Sequence, residues 1–67
     1  MRGRVTQFDE ARGLGTITAA DGTDLPFHCT ALLDGTRSVA VDTAVDYEVR
    51  AGGLGRWEAT RIASAQG

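Results

Sequence analysis

Sixty-seven residues leave room for one domain, expected to span 1–67 with an ordered core over about 2–63, near the size at which a single core still holds a fold unaided. Seven arginines and no lysine stand against nine Asp plus Glu, a formal charge of -2 with a sequence pI near 5.1, which argues against strong nonspecific DNA binding while leaving room for a local patch of Arg4, Arg12, Arg56 and Arg61 if strands 1, 2 and 5 bring them together. The single cysteine, Cys29, excludes an intrachain disulfide, one histidine without cysteine partners excludes a metal staple, and no run of about 18 apolar residues is available to cross a membrane.

The opening Met1-Arg2-Gly3-Arg4 lacks the apolar stretch of a signal peptide, so a cytoplasmic location is expected. A first strand is read from Arg2 to Phe8, a turn over Asp9-Glu10-Ala11-Arg12-Gly13, and a second strand from Leu14 to Ala19. Ala20-Asp21-Gly22-Thr23 contains the Asp-Gly pair that accepts positive φ at low cost, which predicts a hairpin into a third strand, Asp24 to Cys29. Pro26 removes a ladder donor from that strand and demotes it to an edge, a bulge or an interrupted strand.

Between Thr30 and Thr43 no period is sustained. Thr30-Ala31-Leu32-Leu33 is read as one helical turn capped by Thr30, and Asp34-Gly35-Thr36-Arg37 as an exposed turn. Val45, Tyr47 and Val49 then alternate with Asp46, Glu48 and Arg50, the pattern of a strand with one buried and one wet face. Ala51-Gly52-Gly53-Leu54-Gly55 connects to a last strand, Arg56 to Ile62, with a fraying tail from Ala63 to Gly67. The sum is an all-β chain of five strands, and closure into an antiparallel barrel protects edges that an open sheet would expose.

Taken in order, these residues resemble the cold-shock domain family, a five-stranded OB-fold barrel common among small bacterial proteins. Gly3-Arg4-Val5-Thr6-Gln7-Phe8-Asp9 is similar to its Gly-Thr-Val-Lys-Trp-Phe-Asn opening, Arg12-Gly13-Leu14-Gly15-Thr16-Ile17 to its Lys-Gly-Phe-Gly-Phe-Ile motif, and Asp24-Leu25-Pro26-Phe27-His28-Cys29 to its Asp-Leu-Phe-Val-His-Phe motif. Val45-Asp46-Tyr47-Glu48-Val49 and Ala59-Thr60-Arg61-Ile62 resemble the family's fourth strand and its close. The resemblance implies binding of single-stranded RNA or DNA, RNA chaperoning or transcript regulation, no cofactor and no membrane.

The implied binding positions are much altered. Gln7 stands for the family's tryptophan, Leu14 and Thr16 for two phenylalanines, Pro26 and Cys29 for two more, and Thr6 for a lysine; His28 alone is kept. Stacking on an aromatic contributes roughly 1–3 kcal/mol per base, so weaker binding with little sequence preference is expected. The candidate interface is Arg4, Gln7, Arg12, Leu14, Thr16, His28, Arg56 and Trp57.

Two readings of Trp57 stand side by side, a relocated stacking platform flanked by Arg56 and Arg61, or packing that caps one barrel end. His28 is likewise either a partial stacker or a structural residue. Alternation places Trp57, Ala59 and Arg61 on one side of the last strand, while Phe8, Phe27 and Tyr47 are read as core and Cys29 as a small apolar filler. The carboxylates, Asp24 and Asp34 included, are read as solvated surface. The rival class is a protein-interaction or self-associating module, a homodimer included, that has lost nucleic-acid binding; an enzyme finds no nucleophile or acid/base pair to use.

Overall fold

A computed structural model of the protein describes residues 1–33, 39–52 and 55–65. It contains β1 (Arg2–Asp9), β2 (Leu14–Ala19), β3 (Asp24–His28), β4 (Ala44–Ala51) and β5 (Trp57–Ser64), with a short 3-10 turn at Cys29–Ala31. All ladders are antiparallel and form one sheet in the order β3-β2-β1-β4-β5. The all-β, five-stranded class expected from the sequence is the class found. The expected turn at 34–37 lies outside the described residues.

Each strand follows from its pattern. In β4, Val45 and Tyr47 are buried while Asp46 and Glu48 face water. In β3, Leu25 and Phe27 point inward and Asp24, Pro26 and His28 outward. Pro26 sits without cost because β3 is an edge strand of the sheet, one of the places where a missing N–H is tolerated. The β2–β3 hairpin closes through Ala19 N–H to Thr23 O at 2.8 Å, Gly22 N–H to Ala19 O at 2.9 Å, and Thr23 N–H to Asp21 Oδ1 at 3.0 Å, with Gly22 at φ 90. That bond from Thr23 holds the Asp21 carboxyl below the ordinary value of 3.8.

A bulge at Thr6 shifts the β1–β2 register between Val5 and Gln7. It turns both Thr6 and Gln7 outward and sends Phe8 toward the interior, where its ring stacks on Phe27 with centroids 6.0 Å apart. The core is Val5, Ile17, Leu25, Phe27, Leu32, Val45, Tyr47, Ala59 and Ile62, with Phe8, Cys29 and Val49 half-buried against it. Phe27 and Tyr47 are therefore core as expected, and Phe8 lies at its margin. The sheet curls until β3 meets β5, and Leu33 N–H to Ile62 O at 2.8 Å ties the segment after β3 to the last strand.

Several boundaries differ from the expectation. The turn after β3 starts one residue early because His28, not Thr30, is its cap: His28 Nδ1 accepts from Thr30 N–H at 3.2 Å, and Leu32 N–H reaches Cys29 O at 3.1 Å. The last strand begins at Trp57 and runs two residues beyond Ile62, to Ser64, and Ala65 N–H still donates to Ala44 O at 2.9 Å. Arg61 does not share a side with Trp57 and Ala59. Its φ of 50 marks a register shift against β4, which breaks the alternation and turns Arg61 outward onto Glu48 at 2.8 Å.

Two substitutions test this packing. A Cβ at Gly15 would lie 2.5 Å from Phe27 Cζ and 2.8 Å from Gln7 O, so Gly15→Ala should destabilise by about 1–3 kcal/mol in urea unfolding, and an unchanged midpoint would contradict the packing. Among the described residues Tyr47 Oη is buried without a hydrogen-bond partner, so Tyr47→Phe should leave stability equal or improved; a loss of more than about 1 kcal/mol would reveal a partner for that hydroxyl.

Candidate nucleic-acid interface

The registers of β1, β2 and β3 align their outward residues in three rows. Arg4 pairs with Thr18 and Thr18 with Asp24; Gln7 pairs with Thr16 and Thr16 with Pro26; Asp9 pairs with Leu14 and Leu14 with His28. The structure thus brings Gln7, Thr16 and Leu14 onto one face, with Arg4 and His28 at opposite ends. The middle row and its neighbours line an open groove that also holds Arg12 and reaches down to the edge of Phe8 and Phe27.

Arg12 is held at the mouth of this groove by the β1–β2 turn. Asp9 Oδ1 accepts from Ala11 N–H at 3.0 Å and from Arg12 N–H at 3.3 Å, and Asp9 Oδ2 stands 3.9 Å from the Arg12 guanidinium. Both side chains are more than half exposed, so this pair is screened and leaves Arg12 available to an anion.

The row of Arg4 carries a feature that composition and alternation do not show. Thr6 Oγ1 and Thr18 Oγ1 are 3.0 Å apart, and Thr18 Oγ1 donates to Asp24 Oδ1 at 2.7 Å. Three strands are laced by side chains across the face, ending on a carboxylate. Outward parity in the third strand, Asp24, Pro26, His28, is the signal that would have found Asp24.

His28 stays exposed, but its Nδ1 is engaged by Thr30, with the Thr30 N–H at 3.2 Å and Oγ1 at 3.0 Å. Accepting at Nδ1 leaves the proton of a neutral ring on Nε2. The ring borders a separate hollow with Arg50 and Glu58, so the residue is both a structural cap and an exposed ring at the end of the face.

Arg56 and Trp57 reach the face from its far edge. They share a groove with Asp24 and Pro26, and Pro26 belongs to this groove and to the central one. Trp57 is 62% exposed, so it is not buried, and it also borders a hollow with Met1, Leu25, Tyr47 and Val49, which keeps the expected place at one end of the barrel. Of the arginines, Arg2 pairs with Asp46 at 3.2 Å, Arg50 with Glu58 at 2.7 Å and Arg61 with Glu48 at 2.8 Å, so Arg2, which borders a hollow with Arg4, Thr6 and Thr18, is already neutralised. Among the described residues Arg4 and Arg56 enter no ion pair, so the cations on offer at this face are Arg4, Arg12 and Arg56. Arg61 is not brought to it.

The described residues hold no group of three or more His, Cys, Asp or Glu able to bind a metal ion, and no helix among them is long and apolar enough to cross a membrane.

A five-stranded antiparallel sheet in this order, curled until its ends meet and with its outward side chains ranked on β1 to β3, is the architecture of an OB-type binding domain. Residues 1–65 match the family described as the 'Cold-shock' DNA-binding domain. The chain is also 34% identical over 56 residues to a "Cold shock-like protein" of Thermotoga maritima, covering 82% of this chain and 85% of the relative. The chain belongs to the cold-shock domain family, and at the level of that family it is a nucleic-acid-binding protein.

Because Trp57 is the only tryptophan and lies largely in solvent, its emission should resemble that of an exposed indole and be quenched readily by acrylamide. A blue-shifted, protected emission would instead place the ring against a partner or a second copy.

Proposed function

We propose that this domain binds single-stranded RNA or DNA in the cytoplasm as a cold-shock-like chaperone or transcript regulator, more weakly than members with a full aromatic face. The observation that carries the reading is the three-row face with Trp57 at its edge. Its geometry suits a single strand laid across β1 to β3, while its chemistry offers Gln7, Leu14, Thr16 and Pro26 to the bases. Such a surface contacts bases without stacking them, and is largely indifferent to their identity.

Arg4, Arg12 and Arg56 are three cations for phosphates, and each phosphate neutralised adds a slope near -0.7 to the salt dependence of single-strand binding. The reading is one of binding, not catalysis.

A second reading is favoured by the exposed apolar side chains Leu14 at 47% and Trp57 at 62%, which suit a protein partner or self-association. Size-exclusion chromatography over a range of concentrations separates it from the first.

The primary test is a titration of Trp57 fluorescence with oligothymidine and mixed RNA at low and moderate salt. Binding with a shallow salt slope is expected, and Thr16→Phe should tighten it by about five- to a hundredfold by returning one stacking ring to the middle row. Absence of binding at low salt by two independent probes would refute the proposal.

A further inference from the structure

The groove at the edge of the face has a composition that the central groove lacks. Asp24 and Pro26 form one wall on β3, Arg56 and Trp57 the other at the start of β5. An exposed indole, a carboxylate and a guanidinium therefore line one groove. The carboxylate is fixed, because Thr18 Oγ1 donates to Asp24 Oδ1 at 2.7 Å and is itself 3.0 Å from Thr6 Oγ1. It is also unspent: a carboxylate accepts about four hydrogen bonds, and among the described residues no arginine comes within ion-pair distance of Asp24.

A base stacked on Trp57 turns its edge toward these walls. Guanine alone among the common bases presents two adjacent donors, N1–H and the N2 amine, which a carboxylate accepts together, and beside them O6 and N7, which an arginine donates to. Thymine and uracil offer one N–H between two carbonyls, which repel a carboxylate. Adenine and cytosine place a lone-pair nitrogen beside their amine and lose half of the pairing.

We propose that the groove of Asp24, Pro26, Arg56 and Trp57 is a guanine-selective subsite for single-stranded nucleic acid, in which Trp57 stacks the base, Asp24 accepts from N1 and N2, and Arg56 meets O6 and N7. This rests on the nucleic-acid-binding reading above and adds base identity at one position to an otherwise permissive face.

The test compares a short oligothymidine with the same oligomer carrying one central guanine, and with one carrying hypoxanthine, which lacks the N2 amine. The wild-type chain should prefer guanine by about tenfold, the order expected of one bidentate base contact, with hypoxanthine intermediate. In Asp24→Asn, which keeps an acceptor for Thr18 but places an amide donor against the base, the guanine-to-thymine ratio should collapse, with thermal melting confirming that the variant folds.

Equal affinity of the wild-type chain for guanine and thymine oligomers, or a preference that survives in Asp24→Asn, would overturn the subsite while leaving nucleic-acid binding intact. Failure of every oligomer to bind would overturn both.

Discussion

The contact between Gly15 and the ring of Phe27 is the constraint on which both the core and the binding face depend. Gly15 lies opposite Phe27 in the β2–β3 ladder, and the space a side chain would occupy is filled by that ring, which in turn stacks on Phe8 from β1. Three strands thereby share one packing unit, directly beneath the row of Gln7, Thr16 and Pro26. Fully burying an aromatic of this size contributes roughly 1.5–3 kcal/mol, a large share of the stability open to so small a domain. The phenylalanine at this inward position enlarges the floor of the face at the same strand where the outward aromatics are gone.

Charge is distributed to a similar end. The net charge of -2 argues against a broadly basic surface, yet the sum says little about the face itself. Arg2, Arg50 and Arg61 are occupied by Asp46, Glu58 and Glu48 on β4 and β5. These solvent-accessible pairs add little stability individually, but they neutralise cations at the borders of the face, Arg2 in a hollow shared with Arg4, Thr6 and Thr18, and Arg50 in one shared with His28. Arg4, Arg12 and Arg56 are then the cations a single strand meets, Arg12 lining the central groove and Arg56 the edge groove. An acidic protein can in this way present a locally positive rim.

Much of this was legible in the residues. Asp-Gly in the hairpin, Val-x-Tyr-x-Val in β4 and Pro26 on an edge each carry a local rule that tertiary contacts reinforce, and all three were realised. What was lost in reading arose from irregularities that period-2 reasoning cannot register. The bulge at Thr6 turns two consecutive residues outward, and the positive φ of Arg61 reverses the parity of β5, so a strict alternation misplaced Arg61. For His28 the motif leaves a partial stacker and a structural residue side by side, while its capping of the turn through Nδ1 depends on a backbone N–H two residues on, which is a matter of conformation rather than composition. Asp24 was passed over because a single carboxylate on a strand is ordinarily solvated; its significance emerges only when Arg56 and Trp57 fold across from it.

The Thr6, Thr18, Asp24 lacing explains why a face stripped of aromatics remains ordered. Aromatic platforms expose apolar area that is satisfied only when bases stack on it, so they hold the unbound protein in a surface that favours association with something. Hydroxyls that bond each other and a carboxylate at 3.0 and 2.7 Å are satisfied before any ligand arrives. Each such bond contributes only about 0.5–1.5 kcal/mol net, and a strand binding over this row must either leave the lacing intact or replace it with equivalent partners. Tight binding is therefore disfavoured at Thr6 and Thr18, whose hydrogen bonds are already made, and remains available at the edge, where Trp57 is exposed and Asp24 has acceptor capacity to spare. The same substitutions that weaken the central platform thus concentrate recognition at the groove between β3 and β5.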